Sequence, residues 1–174
     1  MSPTGTMTAG TGARFAGLKP HSVLVVEDND TMRGFIKDIL ESERLTVHTA
    51  ADGKEGVEKV LAHKPDIVIL DLCMPKLNGV TLCKAIRSCA TTRTIPIIVV
   101  SSQHNREQLE QCISAGADDF IGKPFDVTDL LIRVRAMIRC LQVVDIPARL
   151  QDYILAVREL RAVTPPLRSS PARA

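Results

Sequence analysis

The sequence predicts an α/β fold, in which helices cover both faces of a doubly wound, five-stranded parallel sheet. Short apolar runs recur along the chain, and a helical pattern of apolar residues follows each run. This alternation is typical of parallel strands buried on both faces. The chain has 174 residues, 45% of them hydrophobic and 3% aromatic, which suits one domain with an aliphatic core and flanking segments.

The strands are predicted from five apolar runs, at residues 22–26, 45–49, 67–70, 97–100 and 118–121, of which the last has the weakest pattern. Apolar stripes predict a helix after each run. In chain order the stripes are Met32, Phe35, Ile36, Ile39 and Leu40; Val57, Val60 and Leu61; Val80, Leu82, Cys83 and Ile86; Leu109, Cys112 and Ile113; and Leu130, Leu131, Val134, Met137, Ile138 and Leu141. Five such βα units favour the flavodoxin-like strand order 2-1-3-4-5.

Two flanking segments differ from this core. Residues 1–20 are rich in Gly, Thr and Ala and are expected to form a disordered leader rather than a secretory signal. After residue 144, Pro147 interrupts the pattern, and an apolar stripe of Leu150, Tyr153, Ile154 and Val157 predicts a short amphipathic helix. Pro165, Pro166 and Pro171 then predict a disordered basic tail. We therefore expect a folded domain at 21–144 and no output domain in 145–174, which is too short for one.

Charge and cysteine content narrow the function classes. The net charge is +2, and this excess arises from Asp145 onward, where five Arg face three acids. A balance this small argues against nucleic acid as a partner. The five cysteines show no CxxC spacing, so neither a zinc site nor a disulfide framework is expected. Free thiols and the lack of a run of roughly 20 apolar residues predict a cytoplasmic protein without a membrane segment.

The candidate site comes from the residues that end the predicted strands. Glu27 and Asp28 follow the first run, Asp71 the third, Ser101 the fourth and Lys123 the fifth. Ligands of open α/β sheets bind at the carboxyl ends of the strands, so these groups are expected to converge.

This set of groups suits phosphoryl transfer to a carboxylate. Clustered carboxylates need a cation among them, and Mg²⁺ prefers oxygen ligands and phosphates. Asp71, at the end of the most apolar strand, is the candidate nucleophile that would form an aspartyl phosphate. Lys123 would neutralise part of the phosphoryl charge, and Ser101 would donate a hydrogen bond to it.

Each of these residues also has an ordinary structural explanation. Asp28, Asn29 or Asp30 could simply cap the first helix, and Asp71 could begin a turn that contains Asn78 and Gly79. Ser101 could be a helix cap, and Lys123 a surface charge. Chance caps and charges would not be expected to coincide at four strand ends.

The segment from Ser22 to about residue 144 resembles bacterial response-regulator receiver domains, in the chemotaxis-regulator-like, single-domain form. The motifs that carry the resemblance are VLVVEDND at 23–30, DIVILDLCMPKLNG at 66–79, IPIIVVSS at 95–102 and GADDFIGKPF at 116–125. Together these motifs are highly specific. The segment at 21–144 is thus identified as a receiver domain.

The resemblance implies a role for each matching residue. It implies that Asp71 is phosphorylated and that Mg²⁺, or alternatively Mn²⁺, is held by Asp28, Asp71 and the backbone carbonyl of Cys73, with Glu27 acting directly or through water. It implies that Ser101 and Lys123 relay the conformational change, that the Lys123–Pro124 bond is cis, and that Phe120 is an aromatic switch. The Cys73 side chain would lie near the phosphoryl group and tune its lifetime.

The implied function is signalling rather than catalysis on an outside substrate. A histidine kinase or histidine phosphotransfer protein would donate the phosphoryl group, and an unknown protein would read the result by contact. The chain could stand alone, act within a phosphorelay, or form the front of a larger regulator such as a cyclase or DNA-binding protein, and a homodimer is also open. A haloacid dehalogenase-type phosphatase would need a second Asp where Cys73 stands, and the acidic run 27–30 would repel a flavin phosphate.

Overall fold

The computed structural model describes residues 20–74, 78–102 and 106–164, and these ranges contain five strands and six helices. The elements are β1 Ser22–Val26, α1 Asp30–Ser42, β2 Thr46–Ala50, α2 Gly53–His63, β3 Ile67–Asp71, α3 Gly79–Ser88, β4 Ile97–Ser102, α4 Arg106–Ser114, β5 Asp119–Lys123, α5 Val127–Cys140 and α6 Ile146–Val163. The strands form one parallel sheet in the order β2-β1-β3-β4-β5. This confirms the predicted fold class and strand order.

Polar caps and apolar faces explain where the elements form. Five helices begin after a residue whose side chain accepts a hydrogen bond from an amide of the first turn, namely Asn29, Asp52, Asn78, Asp126 and Asp145. In the centre of the sheet, every residue of β3 is buried. Such a strand lies between helices on both faces of the sheet.

The sheet divides the interior into two aliphatic cores. The first core joins the sheet to α1, α5 and α6 and includes Ile36, Leu130 and Leu160. The second core joins the sheet to α2, α3 and α4 and includes Val60 and Leu82. Side chains of a strand alternate between the faces, so neighbours in one strand contribute to different cores.

Four strands differ from their predicted limits, and β2 covers 46–50 instead of 45–49. β3 includes Asp71, β4 continues to Ser102, and β5 covers 119–123 instead of 118–121. Asp118 lies outside β5, and its carboxylate accepts a hydrogen bond from the backbone amide of Ile97 at 2.7 Å. The pairing of Ser102 with Lys123 extends β5 through the weak strand former Gly122.

A buried charge network fastens the amino-terminal ends of β4 and β5 to α3. The Arg87 guanidinium donates to the carbonyls of Gly116 at 2.9 Å and Ile95 at 2.7 Å. It also donates to the Asp118 carboxylate at 2.8 Å. Arg149 of α6 lies on the other side of the same carboxylate, at 3.5 Å. Asp118 therefore sits between two guanidinium groups at the edge of the sheet opposite the carboxyl ends of the strands.

The last helix is longer than predicted. α6 begins at Ile146, because Asp145 caps it and Pro147 lies in the first turn, where its missing N–H would have no partner in the helix. Tyr153 is buried as expected, but Ile154 is half exposed and Arg149 is buried in its place. The predicted stripe is therefore confirmed at Tyr153 and wrong at Ile154, while Leu150 and Val157 are half-buried.

Other helices also expose one member of their predicted stripe, namely Phe35, Leu61 and Ile113. These residues lie at the border of the apolar face, where packing rather than periodicity decides burial. The side chain of Leu109 lies outside the described residues. So do most of the predicted leader and the end of the predicted tail, with its three prolines. None of the helices in the described ranges combines the length and apolar character needed to cross a bilayer.

We predict that Gly79→Ala destabilises the fold by about 1–3 kcal/mol, because overpacking at a close approach must displace backbone. A Cβ at Gly79 would lie 2.8 Å from the carbonyl oxygen of Asp71 and 3.0 Å from the Cα of Leu72. Denaturant unfolding measures the change.

The matched control is Gly34→Ala, in the middle of α1, where a Cβ would meet no atom within 4 Å. This variant should gain about 0.5–1 kcal/mol, because glycine loses more backbone entropy in a helix than alanine does. Equal effects at the two positions would contradict the prediction.

Candidate functional site

The first strand delivers an acidic pair to the carboxyl edge of the sheet. Glu27 is buried and Asp28 is exposed at the turn from β1 into α1. Asn29 caps α1 by accepting from the amide of Met32 at 2.9 Å. Asn29 therefore takes the capping role, which leaves Asp28 available for another task. Arg33 steadies the turn by donating to the Glu27 carbonyl at 2.8 Å.

Asp71 ends the central strand and is almost completely buried. One of its oxygens, Oδ1, accepts from the backbone amide of Cys73 at 3.2 Å. This is the turn-forming bond of an Asx residue, so the ordinary structural reading of Asp71 also holds. The other oxygen, Oδ2, faces Lys123.

Lys123 reaches from the end of β5 to both buried carboxylates. Its Nζ lies 2.7 Å from Oε2 of Glu27 and 3.0 Å from Oδ2 of Asp71. The side chain is only 20% exposed, which argues against an ordinary surface charge. Within the described residues, Lys123 thus supplies the positive charge next to the carboxylates of Glu27 and Asp71.

Burial and neighbouring charges act in opposite directions on the pKa values of Glu27 and Lys123. Burial raises the pKa of the Glu27 carboxyl, and the negative charge of Asp71 adds to this, although the hydrogen bond from Lys123 opposes it. Burial alone would lower the pKa of Lys123, but its hydrogen bonds to Glu27 and Asp71 outweigh that effect and raise it. The ammonium is therefore held in its charged form by the carboxylates that it neutralises.

The three carboxylates form a group that could bind a metal ion. An oxygen from each of Glu27, Asp28 and Asp71 lies within 4.8 Å of the others. These oxygens are the hard donors that Mg²⁺ prefers, and Asp28 remains open to solvent, which suits an ion that keeps several waters. The donor set fits Mg²⁺ on its chemistry.

Ser101 lies on β4, the strand that pairs with β3, and Phe120 lies on β5. Ser101 is buried near the end of β4, well before α4 begins, so it does not cap that helix. Its Oγ lies 3.9 Å from the exposed Sγ of Cys73. Phe120 is half buried near the start of β5 and packs against the second core. The structure thus brings Ser101 toward Cys73 and leaves Phe120 at a distance, and their switch roles stay predictions. The Lys123–Pro124 bond is cis, as expected.

Two residues that position the site escaped the sequence analysis. Arg33 holds the β1–α1 turn, and the signal for it was an arginine three residues after Asp30, with which it forms an ion pair. Gly79 allows α3 to begin against the backbone of Asp71, and its signal was the Asn78–Gly79 pair.

Comparisons with known proteins agree on one family. Residues 23–135 match the family model of the response regulator receiver domain. The chain is 41% identical over 117 residues to the response regulator ArlR of Staphylococcus saprophyticus, a match that covers 67% of this chain and 52% of that protein. It is 38% identical over 117 residues to ArlR of Staphylococcus aureus. The chain spans about half the length of these curated relatives.

Solved structures show the same similarity. A putative response regulator from Chloroflexus aurantiacus aligns with a TM-score of 0.66 and 33% identity, covering 70% of this chain and 99% of that one. The receiver domain of a sensor histidine kinase from Pseudomonas aeruginosa aligns with a TM-score of 0.64 and 28% identity, covering 71% and 99%. The latter structure was described with a magnesium ion coordinated in its active site cleft.

We predict that Lys123→Met destabilises the protein by about 1–3 kcal/mol in the absence of divalent cations, because it leaves two buried carboxylates without their partner. Millimolar Mg²⁺ should restore part of this loss, since the ion would supply the missing positive charge. Thermal unfolding with and without Mg²⁺ measures both effects.

Lys37→Met is the matched control, because it removes an ammonium whose partner, Glu41, is a surface carboxylate one helical turn away. It should change stability little in either condition. If Lys123→Met unfolded at the same temperature as Lys37→Met without Mg²⁺, the electrostatic role of Lys123 would be refuted.

Proposed function

The chain belongs to the response regulator receiver domain family, and from this premise we propose that it accepts a phosphoryl group onto Asp71 and signals by protein contact. The observation that supports this proposal best is the grouping of Glu27, Asp28 and Asp71 around one strand edge, with Lys123 bonded to two of them. The donor would be a histidine kinase or a histidine phosphotransfer protein.

In the proposed step, an Asp71 carboxylate oxygen forms a bond to phosphorus, and the bond between phosphorus and the donor nitrogen breaks. The electron pair of that bond stays on the donor imidazole. The Asp71 carboxylate is hydrogen-bonded to Lys123 and would attack without a separate base. Burial of Asp71 limits access by water, and its hydrogen bonds with the Cys73 amide and Lys123 fix the position of the carboxylate.

Charge balance assigns roles to the neighbouring groups. Glu27, Asp28 and Asp71 would hold Mg²⁺, together with the backbone carbonyl of Cys73, and the ion would offset the charge of the phosphoryl oxygens. Lys123 would move its hydrogen bond from the Asp71 carboxylate to a phosphoryl oxygen. Ser101 would donate its hydroxyl to another one, and Phe120 would turn inward as Ser101 moves. The exposed Cys73 sulfur, close to Ser101, would tune the lifetime of the phosphate.

We propose that the protein is not an enzyme for an outside substrate. A general acid in place of Cys73 would be needed to expel an alcohol leaving group, and a thiol there does not serve that purpose. We also place the protein in the cytoplasm, where its free cysteines would stay reduced. The downstream partner is a protein, and pairing of two copies is an alternative form of output.

The second candidate function is that of an input domain in a larger regulator. It is favoured by one observation, which is that the curated relatives are about twice as long as the matched segment. In that case α6 would connect to an output domain such as a cyclase or DNA-binding unit. A third arrangement is an intermediate position in a phosphorelay. Sequencing of the reading frame beyond Ala174 separates the larger regulator from the stand-alone chain, because a continuing frame would contradict the stand-alone proposal.

We predict one phosphoryl adduct when the protein is incubated with acetyl phosphate and Mg²⁺, detected by intact-mass analysis. The adduct should disappear in Asp71→Asn and when the metal is chelated, because the variant lacks the nucleophile and chelation leaves the phosphoryl charge unbalanced. Asp38→Asn, an exposed carboxylate change on α1, should give the wild-type adduct.

An adduct that persists in Asp71→Asn would contradict the proposed phosphoacceptor. If wild type gave no adduct, binding of beryllofluoride would be measured next. Failure of a folded, Mg²⁺-loaded protein to bind it would contradict the proposed function altogether.

A further inference from the structure

The last helix lies against the domain along a defined surface. α6 runs antiparallel to α5: Arg149 near its start reaches the Thr94 carbonyl at 2.8 Å, whereas Arg161 near its end pairs with Asp129 in the first turn of α5. Between them, Tyr153, Ala156 and Leu160 are buried against the first core. We call the part of β5 and α5 beneath α6, which contains Asp119, Asp129 and Arg133, the β5–α5 face.

Charge and hydrogen bonds, more than apolar bulk, define this contact. The Tyr153 hydroxyl donates to the Asp119 carboxylate, which also accepts from Arg133 at 2.5 Å. Arg133 donates in turn to Asp129 at 3.0 Å, and Asp129 receives Arg161 from α6. The β5–α5 face therefore recognises a helix that carries a hydroxyl donor and, about two turns later, a cation.

The docked helix leaves some of its polar groups poorly satisfied. Arg149 is 2% exposed, and its Nε and Nη2 have no hydrogen-bond partner within the described residues. Its Nη2 lies 3.5 Å from the Asp118 carboxylate, near enough for attraction but without a hydrogen bond. A buried donor without a partner costs free energy that returns when water reaches it. Docking of α6 is thus stabilised at Tyr153 and Arg161, whereas Arg149 gains one hydrogen bond to Thr94 and leaves two buried donors without one within the described residues.

Three aliphatic side chains of α6 do not take part in docking, although Leu160 is buried against the first core and Val157 packs on it. Ile154 is 51% exposed, Leu155 56% and Val163 75%, while the buried positions include the small Ala156. Apolar surface that stays in water does not stabilise a contact. The docked position of α6 therefore leaves part of the apolar surface of the helix unused.

We propose that the β5–α5 face is a helix-binding surface, that α6 is its resident ligand, and that phosphorylation of Asp71 releases α6 so that a partner helix with the same donor-and-cation pattern can bind. The regulatory half of this inference rests on the proposed function. The assignment of the β5–α5 face depends only on the contacts of α6 with Asp119 and Asp129.

The connection to the phosphorylation site runs through one short segment. Lys123 ends β5 at the site, and Asp129 lies in the first turn of α5, directly after the loop that follows Lys123. Lys123 would change partners when Asp71 carries a phosphoryl group, and the start of α5 would shift with it. The Asp129–Arg161 pair lies at that end of α6 and would open first.

Hydrogen exchange of the full chain tests whether the Tyr153 and Arg161 contacts hold α6 on the β5–α5 face. The variant Tyr153→Phe with Arg161→Glu removes the two polar contacts of α6 with the β5–α5 face, and the amides of α6 should exchange about tenfold faster than in wild type. Arg158→Glu is the matched control, because it makes the same charge reversal at an exposed position of the same helix. It should exchange like wild type. If α6 of the double variant exchanged like wild type, these two contacts would not hold α6 in place and the proposal would be contradicted.

A labelled peptide of residues 145–164 then probes the β5–α5 face in trans. We expect it to bind about tenfold more tightly to the double variant than to wild type, because the resident helix no longer competes. Equal binding to both proteins would overturn the helix-binding surface. Asp129→Arg on the double variant should abolish peptide binding if the face recognises the cation.

The last comparison uses wild type with Mg²⁺ and beryllofluoride, with the adduct recorded by intact mass under native conditions in the same sample. An adduct together with faster α6 exchange is the expected result. An adduct with unchanged exchange would overturn the release of α6 while the proposed function stands. Absence of any adduct would instead contradict the proposed function, and the variant and peptide measurements would still decide the β5–α5 face.

Discussion

The crowding of negative charge at one edge of the sheet is the constraint on which the rest depends. Parallel strands bring their carboxyl ends together, so β1 and β3 place Glu27 and Asp71 side by side in the interior. Their repulsion is offset by Lys123, which meets both carboxylates from a strand that is distant in the sequence. The strand order 2-1-3-4-5, the turn held by Arg33 and the close approach of Gly79 all serve to keep this arrangement compact.

Sequence alone was sufficient where a residue's position follows from the periodicity of its element. The five apolar runs placed Glu27, Asp71, Ser101 and Lys123 at strand ends, and parallel geometry then predicted their convergence. It could not decide between Asp28 and Asn29 as the helix cap, because both residue types serve equally well. The structure resolves this through one hydrogen bond, from the Met32 amide to Asn29.

Predictions were weakest where packing between helices decides which face is buried. A stripe of Leu150, Tyr153, Ile154 and Val157 satisfies helical spacing, yet α6 turns so that Arg149 faces inward and Ile154 faces water. The polar network of Asp119, Arg133 and Asp129 selects this orientation, and it is assembled from residues whose contact no local pattern encodes. Phe35 and Ile113 likewise satisfy helical spacing and are nevertheless exposed.

The Arg87–Asp118 network anchors the sheet at one end only. Its hydrogen bonds fasten the amino-terminal ends of β4 and β5 to α3, and Arg149 adds the start of α6 to the network. A change at Asp71 or Lys123 acts at the opposite end of the sheet, which this network does not hold. The first turn of α5, at the carboxyl edge, is therefore farther from this network than the starts of β4 and β5 are.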